Sequence, residues 1–202
     1  MWPFSKKPVT LHRACAKGDV STVGQLIADG ADVNLKNKRG RAPIREAVSS
    51  GSQEVVLFLL QHGADPNALD EQCQTPLHAA MLRGVPDIVA HLLAHKANSN
   101  ATDKFGMTPL HWAAHEGREK EIDALLCNGA EINARNQNGM TPLHFAAQAG
   151  REDMTKLLLC KGANMQAKDS RGRTAHDVAL ELRWYQLATF LGNEERRLTD
   201  AK

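Results

Sequence analysis

The sequence predicts an all-α solenoid of six helix-turn-helix units joined by β-hairpin-like fingers. Three observations predict it. The tetrapeptide Thr-Pro-Leu-His recurs every 33 residues, starting at Thr75, Thr108 and Thr141. The same register falls on Val9-Thr10-Leu11-His12, Ala42-Pro43-Ile44-Arg45 and Thr174-Ala175-His176-Asp177 without insertion or deletion. Other columns keep the period: Gly18, Gly51, Gly84, Gly117 and Gly150 form one, and Asn34, Asn67, Asn100 and Asn133 another. Finally, five Phe, three Trp and one Tyr among 202 residues are few for a sandwich or barrel, whose half-buried strands favour aromatic side chains.

Each element of one unit has a local cause. Thr108 suits an N-cap and Pro109 the first helical position, because the cap oxygen accepts an orphaned N–H and proline has none to orphan. The helix they open carries Leu110, Ala113 and Ala114, small enough for close packing, and ends near Gly117, which can take the left-handed cap. Ile122, Leu125 and Leu126 then stand at i, i+3 and i+4, the apolar stripe of a second helix closed by Gly129. The polar stretch from Ala130 to Met140, with Asn138-Gly139 near its tip, predicts a projecting finger. One such unit cannot bury both helix faces, so stacking on neighbours is required.

This pattern resembles the ankyrin repeat, a 33-residue unit of β-turn plus two helices with a T-P-L-H-x-A signature. The resemblance covers roughly residues 5 to 192. It implies units starting near residues 9, 42, 75, 108, 141 and 174, an N-terminal extension over 1–8, a repeat domain over 9–192 and a polar C-terminal tail over 193–202. It also implies that His12, His78, His111 and His144 pin their own turns to adjacent backbone.

Departures from the pattern carry their own expectations. The end units place Arg13 and Lys17 at one end and Glu181 and Arg183 at the other, polar groups suited to faces without a neighbour, so both read as caps. Leu187, Phe190 and Leu191 nonetheless hold the apolar stripe of the last unit. Ala42 and Arg45 replace the Thr and His of the signature, removing a side-chain cap worth about 1 kcal/mol, so the second unit is expected to be softer. Lys96 and Cys73 stand in glycine columns, where positive φ costs a side-chain-bearing residue on the order of 1 kcal/mol.

Composition excludes several function classes. The chain is 42% hydrophobic and 24% charged, with 25 Lys and Arg against 23 Asp and Glu for a formal +2. That balance lacks the concentrated basic stripe of a nucleic-acid binder. No stretch approaches the ~20 apolar residues of a membrane span, and the first eight residues lack the apolar core of a secretory signal. Cytosol, or nucleus, is the expected compartment. Cys15, Cys73, Cys127 and Cys160 show no metal or disulfide spacing and read as free thiols, Cys15 in the core and only Cys73 accessible. His111 and His115, at i and i+4, could supply two metal ligands, but no third is evident and His111 belongs to the repeat column. No phosphate loop or nucleophile elbow is present. Neither an enzyme nor a cofactor is therefore expected, and a hydrolase or metal protein is disfavoured.

Surface remains. Ankyrin partners engage the finger tips and the outward side of the first helix. Carried over by column, those positions are Lys38, Arg39, Arg41, Gln72, Leu82, Arg83, Lys104, Phe105, Met107, His115, Glu116, Asn138, Met140, Arg171 and Arg173. Phe105, with Met107, Leu82 and Met140, is expected to form an apolar centre flanked by cations. Trp112 and Phe145 read as half-buried packing residues. The function expected is a non-enzymatic protein-binding module, an adaptor, inhibitor or scaffold, monomeric on its own. The alternative is a substrate role: Leu26 to Asn34 and Leu125 to Asn133 resemble the Leu-x5-Asp/Glu-apolar-Asn pattern that asparaginyl hydroxylation uses in some ankyrin proteins.

Overall fold

In the computed structural model, which describes residues 9–200 with side chains through Arg197, helices start where the threonine column places them. Thr75, Thr108 and Thr141 are N-caps followed by proline at the first helical position. The histidine three residues on completes each cap: the backbone N–H of Thr108 donates to Nδ1 of His111 at 3.1 Å, as Thr75 does to His78 and Thr141 to His144. In the second repeat Ala42 offers no side-chain cap, as expected.

Twelve helices and no strand occur among the described residues: α1 (Leu11–Lys17), α2 (Val20–Ala28), α3 (Pro43–Ser50), α4 (Gln53–Gln61), α5 (Pro76–Arg83), α6 (Pro86–Ala94), α7 (Pro109–Glu116), α8 (Glu119–Cys127), α9 (Pro142–Gln148), α10 (Glu152–Cys160), α11 (Ala175–Glu181) and α12 (Tyr185–Asp200). The chain forms two compact units, Met1–Ala97 and Asn98–Lys202. In the first, α1, α3 and α5 pack as one layer and α2, α4 and α6 as another, each odd helix also packing on its successor. In the second, α7, α9 and α11 form one layer, backed by α8, α10 and α12 respectively.

The core of each unit is the apolar stripe that the repeat reproduces. Ile44, Leu59, Leu77 and Leu92 are fully buried in the first unit, and Leu110, Leu125, Leu143 and Leu158 in the second. Burial of one such side chain contributes about 1.5–3 kcal/mol. Cys15 is fully buried, and burial pushes its thiol pKa up to about 12.

Among the described residues three with side chains stand in left-handed backbone: Cys73 at φ 58°, Lys96 at φ 65° and Arg183 at φ 63°. All three occupy columns that are glycine elsewhere, so the turn geometry overrides the side chain's preference. At Gly150 the requirement is also steric, because a Cβ there would lie 2.7 Å from the Trp184 ring.

Two expectations about the termini meet the structure differently. The extension over 1–8 lies outside the described residues. The stretch set apart as a tail from residue 193 is instead the continuation of α12 as far as Asp200. Its charged residues support helix, with Glu194 and Arg197 paired at 2.6 Å one turn apart.

Candidate functional site

The fingers are built by a column that the sequence reading passed over. Asn37, Asp70, Asp103, Asn136 and Asp169 recur at the repeat spacing, and each closes its own turn. The N–H of Asp103 donates to the Met107 carbonyl at 2.9 Å, and that of Gly106 to the Asp103 carbonyl at 2.9 Å. Asp103 Oδ1 then accepts the N–H groups of Phe105 (2.8 Å) and Met107 (3.0 Å). Asn37, Asp70, Asn136 and Asp169 repeat both contacts. A short side chain bonding the backbone two residues on is an Asx turn, and a further bond to the fourth residue fixes the whole tip. The signal was available as Asx three residues before the finger glycine or its substitute, at the same period.

Neighbouring fingers are tied as well. In the second unit the N–H of Gln137 donates to the Phe105 carbonyl (3.1 Å) and that of Ser170 to the Asn138 carbonyl (2.9 Å). In the first, Lys36 Nζ donates to the Leu69 carbonyl at 2.7 Å.

Upon these turns the structure places the expected surface residues as follows. In the first unit Lys38, Arg39, Gln72, Leu82 and Arg83 are exposed and Arg41 is half-buried. In the second, Lys104, Phe105, Asn138 and Arg171 are exposed, and His115, Glu116 and Arg173 half-buried. Phe105 is 56% exposed, with Lys104 Nζ lying 4.9 Å from its ring centroid.

Met107 and Met140 correct the expected apolar centre: each is only 8% exposed. Both precede an N-cap, the position from which an apolar side chain folds back over the first helical turn. Met107 Sδ also lies 3.5 Å from Nδ2 of the buried Asn136. Leu82, on α5, is exposed in the first unit, and Phe105, on a finger, in the second.

In the second unit Asn138, Gln148, Ser170, Arg171 and Leu182 wall an open groove of about 310 Å³ between neighbouring fingers and the helices behind them. Arg173, on its floor, binds Asp169 at 2.8 Å and pairs with Glu181. Burial pushes the Asp169 pKa up, but bonds from the Arg173 backbone and guanidinium and from the Arg171 N–H outweigh it and leave the carboxyl below its ordinary value. The groove is at the small end for ligand pockets and its walls are largely polar.

The histidines of the repeat column are structural. With Nδ1 of His111 accepting the Thr108 N–H, the proton of the neutral ring sits on Nε2, which donates to the Met140 carbonyl at 3.0 Å. His144 does the same to Arg173 (3.0 Å) and His12 to Arg41 (2.9 Å). Burial lowers the His111 pKa to about 4 and lowers that of His144 as well. Both nitrogens of His111 are thus occupied, and Nδ1 of His115 bonds Glu116 at 3.0 Å. Trp112 and Phe145 are half-buried. Trp112 Nε1 donates to Asp103 Oδ2 at 3.3 Å, and Phe145 meets His111 edge to face at 5.5 Å.

Where Arg45 replaces the histidine it is 7% exposed. It lies 3.7 Å from Asp70 and bonds Ser49 at 2.9 Å and Gln74 at 3.4 Å. The second repeat therefore exchanges a capped turn for a buried ionic tie.

Cys127 and Cys160 are exposed like Cys73, which corrects the expectation that Cys73 alone is accessible: both stand at the ends of second helices, where the stripe has already turned away. The asparagines of the hydroxylation pattern are bonded between repeats. Asn34 Nδ2 donates to the Gly63 carbonyl (3.0 Å) and its Oδ1 accepts the Asp65 N–H (2.8 Å), while Asn133 Oδ1 accepts the Asn164 N–H at 2.8 Å. No described helix is long and apolar enough to cross a membrane.

Layered helix pairs, locked turns and exposed, chemically varied tips define a helical repeat module. Family profiles agree: one described as ankyrin repeats (many copies) matches residues 77–120 and 110–159, and another, ankyrin repeats (3 copies), matches residues 6–70. The chain belongs to the ankyrin-repeat family. No curated protein matches the sequence significantly.

Proposed function

We propose that the chain is a non-catalytic protein-interaction module, serving as adaptor, inhibitor or scaffold, that grips its partner with its finger tips and the outward side of its first helices. The observation that carries this reading is the combination of locked backbone and free side chains. Each tip is held by paired Asx bonds, as at Asp103, yet Lys38, Arg39, Gln72, Phe105, Asn138 and Arg171 point outward. A surface ordered before binding loses little entropy on binding. Ankyrin repeats generally act in this way.

The test is affinity capture from the native source with the wild-type chain beside a Phe105→Ala/Arg39→Ala/Arg171→Ala variant, read by mass spectrometry. The variant is expected to lose the wild-type partner at unchanged melting temperature. Full retention by the variant, or a partner lost only because the variant unfolds, contradicts the assignment.

A further inference from the structure

Over residues 9–97 nine Lys and Arg stand against nine Asp and Glu, and the cations, apart from Lys96 on the turn after α6, gather on one side. Arg13 and Lys17 on α1, Lys38 and Arg39 on the finger, Arg83 ending α5 and the half-buried Arg41 all stand on the first-helix layer or the turns leading into it. Asp19, Asp29, Asp32, Glu54, Asp65 and Asp87 stand on the second-helix layer or the turns beside it. On the basic side the carboxylates are largely engaged. Glu46 lies 3.9 Å from Arg41 and accepts from Asn37 at 3.1 Å, and Asp70 faces the buried Arg45. Glu71 is the remaining carboxylate there. Arg13, Lys38, Arg39 and Arg83 make no ion pair among the described residues.

In the second unit Lys156 pairs with Glu152 at 2.6 Å, Lys161 with Asp123 at 2.7 Å and Arg173 with Asp169 at 2.8 Å, while Lys104, Lys120, Lys168 and Arg171 make no ion pair among the described residues.

Arg45 is spent within the fold: its Nε faces Asp70 at 3.7 Å without a hydrogen bond, so the pair adds no net charge to the basic side. Leu35, Leu69 and Leu82 are exposed on the same turns and helix. Among the described residues of this unit the aromatic is Phe58, which lies in the second-helix layer stacked on His62 at 4.1 Å, so none of the described residues on the basic side is an aromatic on which nucleic-acid bases could stack.

We infer that this side of the first unit docks an acidic segment of a protein partner, one in which Asp or Glu residues alternate with aliphatic side chains. The inference rests on the interaction role proposed above and names the chemistry of the partner. Complementary charge steers encounter and fixes register, and the exposed leucines supply the apolar contacts that charge alone does not.

Fluorescence anisotropy of the full chain tests it with four labelled probes: a Glu/Leu peptide, its Gln/Leu counterpart, a single-stranded oligonucleotide and phosphatidylserine vesicles. The Glu/Leu peptide is expected to bind about tenfold more tightly than the Gln/Leu peptide and to weaken with added salt. Lys38→Glu/Arg39→Glu is expected to remove that preference, whereas Lys120→Glu/Lys168→Glu, the same charge change in the second unit, leaves it intact. Equal binding of the two peptides, equal loss in both variants, or tighter binding of oligonucleotide or vesicles overturns the inference. Capture of the cellular partner that survives Lys38→Glu/Arg39→Glu also overturns it while leaving the interaction role standing. Failure of the wild-type chain to retain a protein partner removes both.

Discussion

His111 Nε2 stands 3.0 Å from the carbonyl oxygen of Met140, the residue that closes the next finger. One ring therefore caps its own helix through Nδ1 and ties the following repeat through Nε2, a geometry open only to the neutral imidazole.

Stability follows from that protonation state. Burial lowers the His111 pKa from 6.5 to about 4, so between those values the unfolded chain binds a proton that the folded chain refuses. The stabilisation is intact above pH 6.5 and is lost as the pH falls toward 4. The full effect is on the order of 3 kcal/mol, from about 1.4 kcal/mol per pKa unit. Urea denaturation across pH 4–7 is expected to show this slope and His111→Gln to flatten it; an unchanged slope in the variant contradicts the tie.

Lys96 at φ 65° and Cys73 at φ 58° carry side chains where the turn suits glycine. Lys96→Gly and Cys73→Gly are each expected to stabilise by about 1 kcal/mol, roughly 2–4 °C in melting temperature for a chain of this size. The Lys96 carbonyl that Asn67 bonds at 3.1 Å survives the change. An unchanged or lower melting temperature shows that the backbone strain is relieved elsewhere.

Removing one member of the buried Arg45–Asp70 pair is expected to cost more than removing both. Asp70→Asn can keep the Oδ1 bonds to Gln72 and Gln74 but strands a buried cation, at about 3 kcal/mol. Adding Arg45→Met is expected to recover most of that loss. Additive costs in the double variant refute the pairing.

The thiols separate by burial. Cys15 is inaccessible, with its pKa raised to about 12, while Cys73, Cys127 and Cys160 are exposed. A chromogenic disulfide reagent is expected to titrate those three in the native chain and Cys15 only after unfolding. Rapid reaction of Cys15 in the native chain contradicts its place in the core.

The helices were legible because capping, proline placement and apolar spacing are local and repeated: Thr108, Pro109 and Leu110 mean the same thing wherever they recur. The finger surface was only partly legible. Phe105 and Met107 lie two residues apart on one turn, yet Phe105 points outward and Met107 inward, because the Asp103 side chain fixes the alternation between them. Reading the Asx column would have revealed it. Arg45 was hidden for a different reason: its partner Asp70 comes from the next finger, and no period predicts a pairing that a single repeat makes alone.

The most direct test of the interaction surface is hydrogen exchange on the wild-type chain with and without its captured partner. Protection is expected at the finger tips, 36–41, 69–74, 102–107, 135–140 and 168–173, and along α3, α5, α7 and α9, with α4, α6, α8 and α10 unchanged. Protection confined to the second helices, with the tips exchanging as in the free chain, contradicts the account.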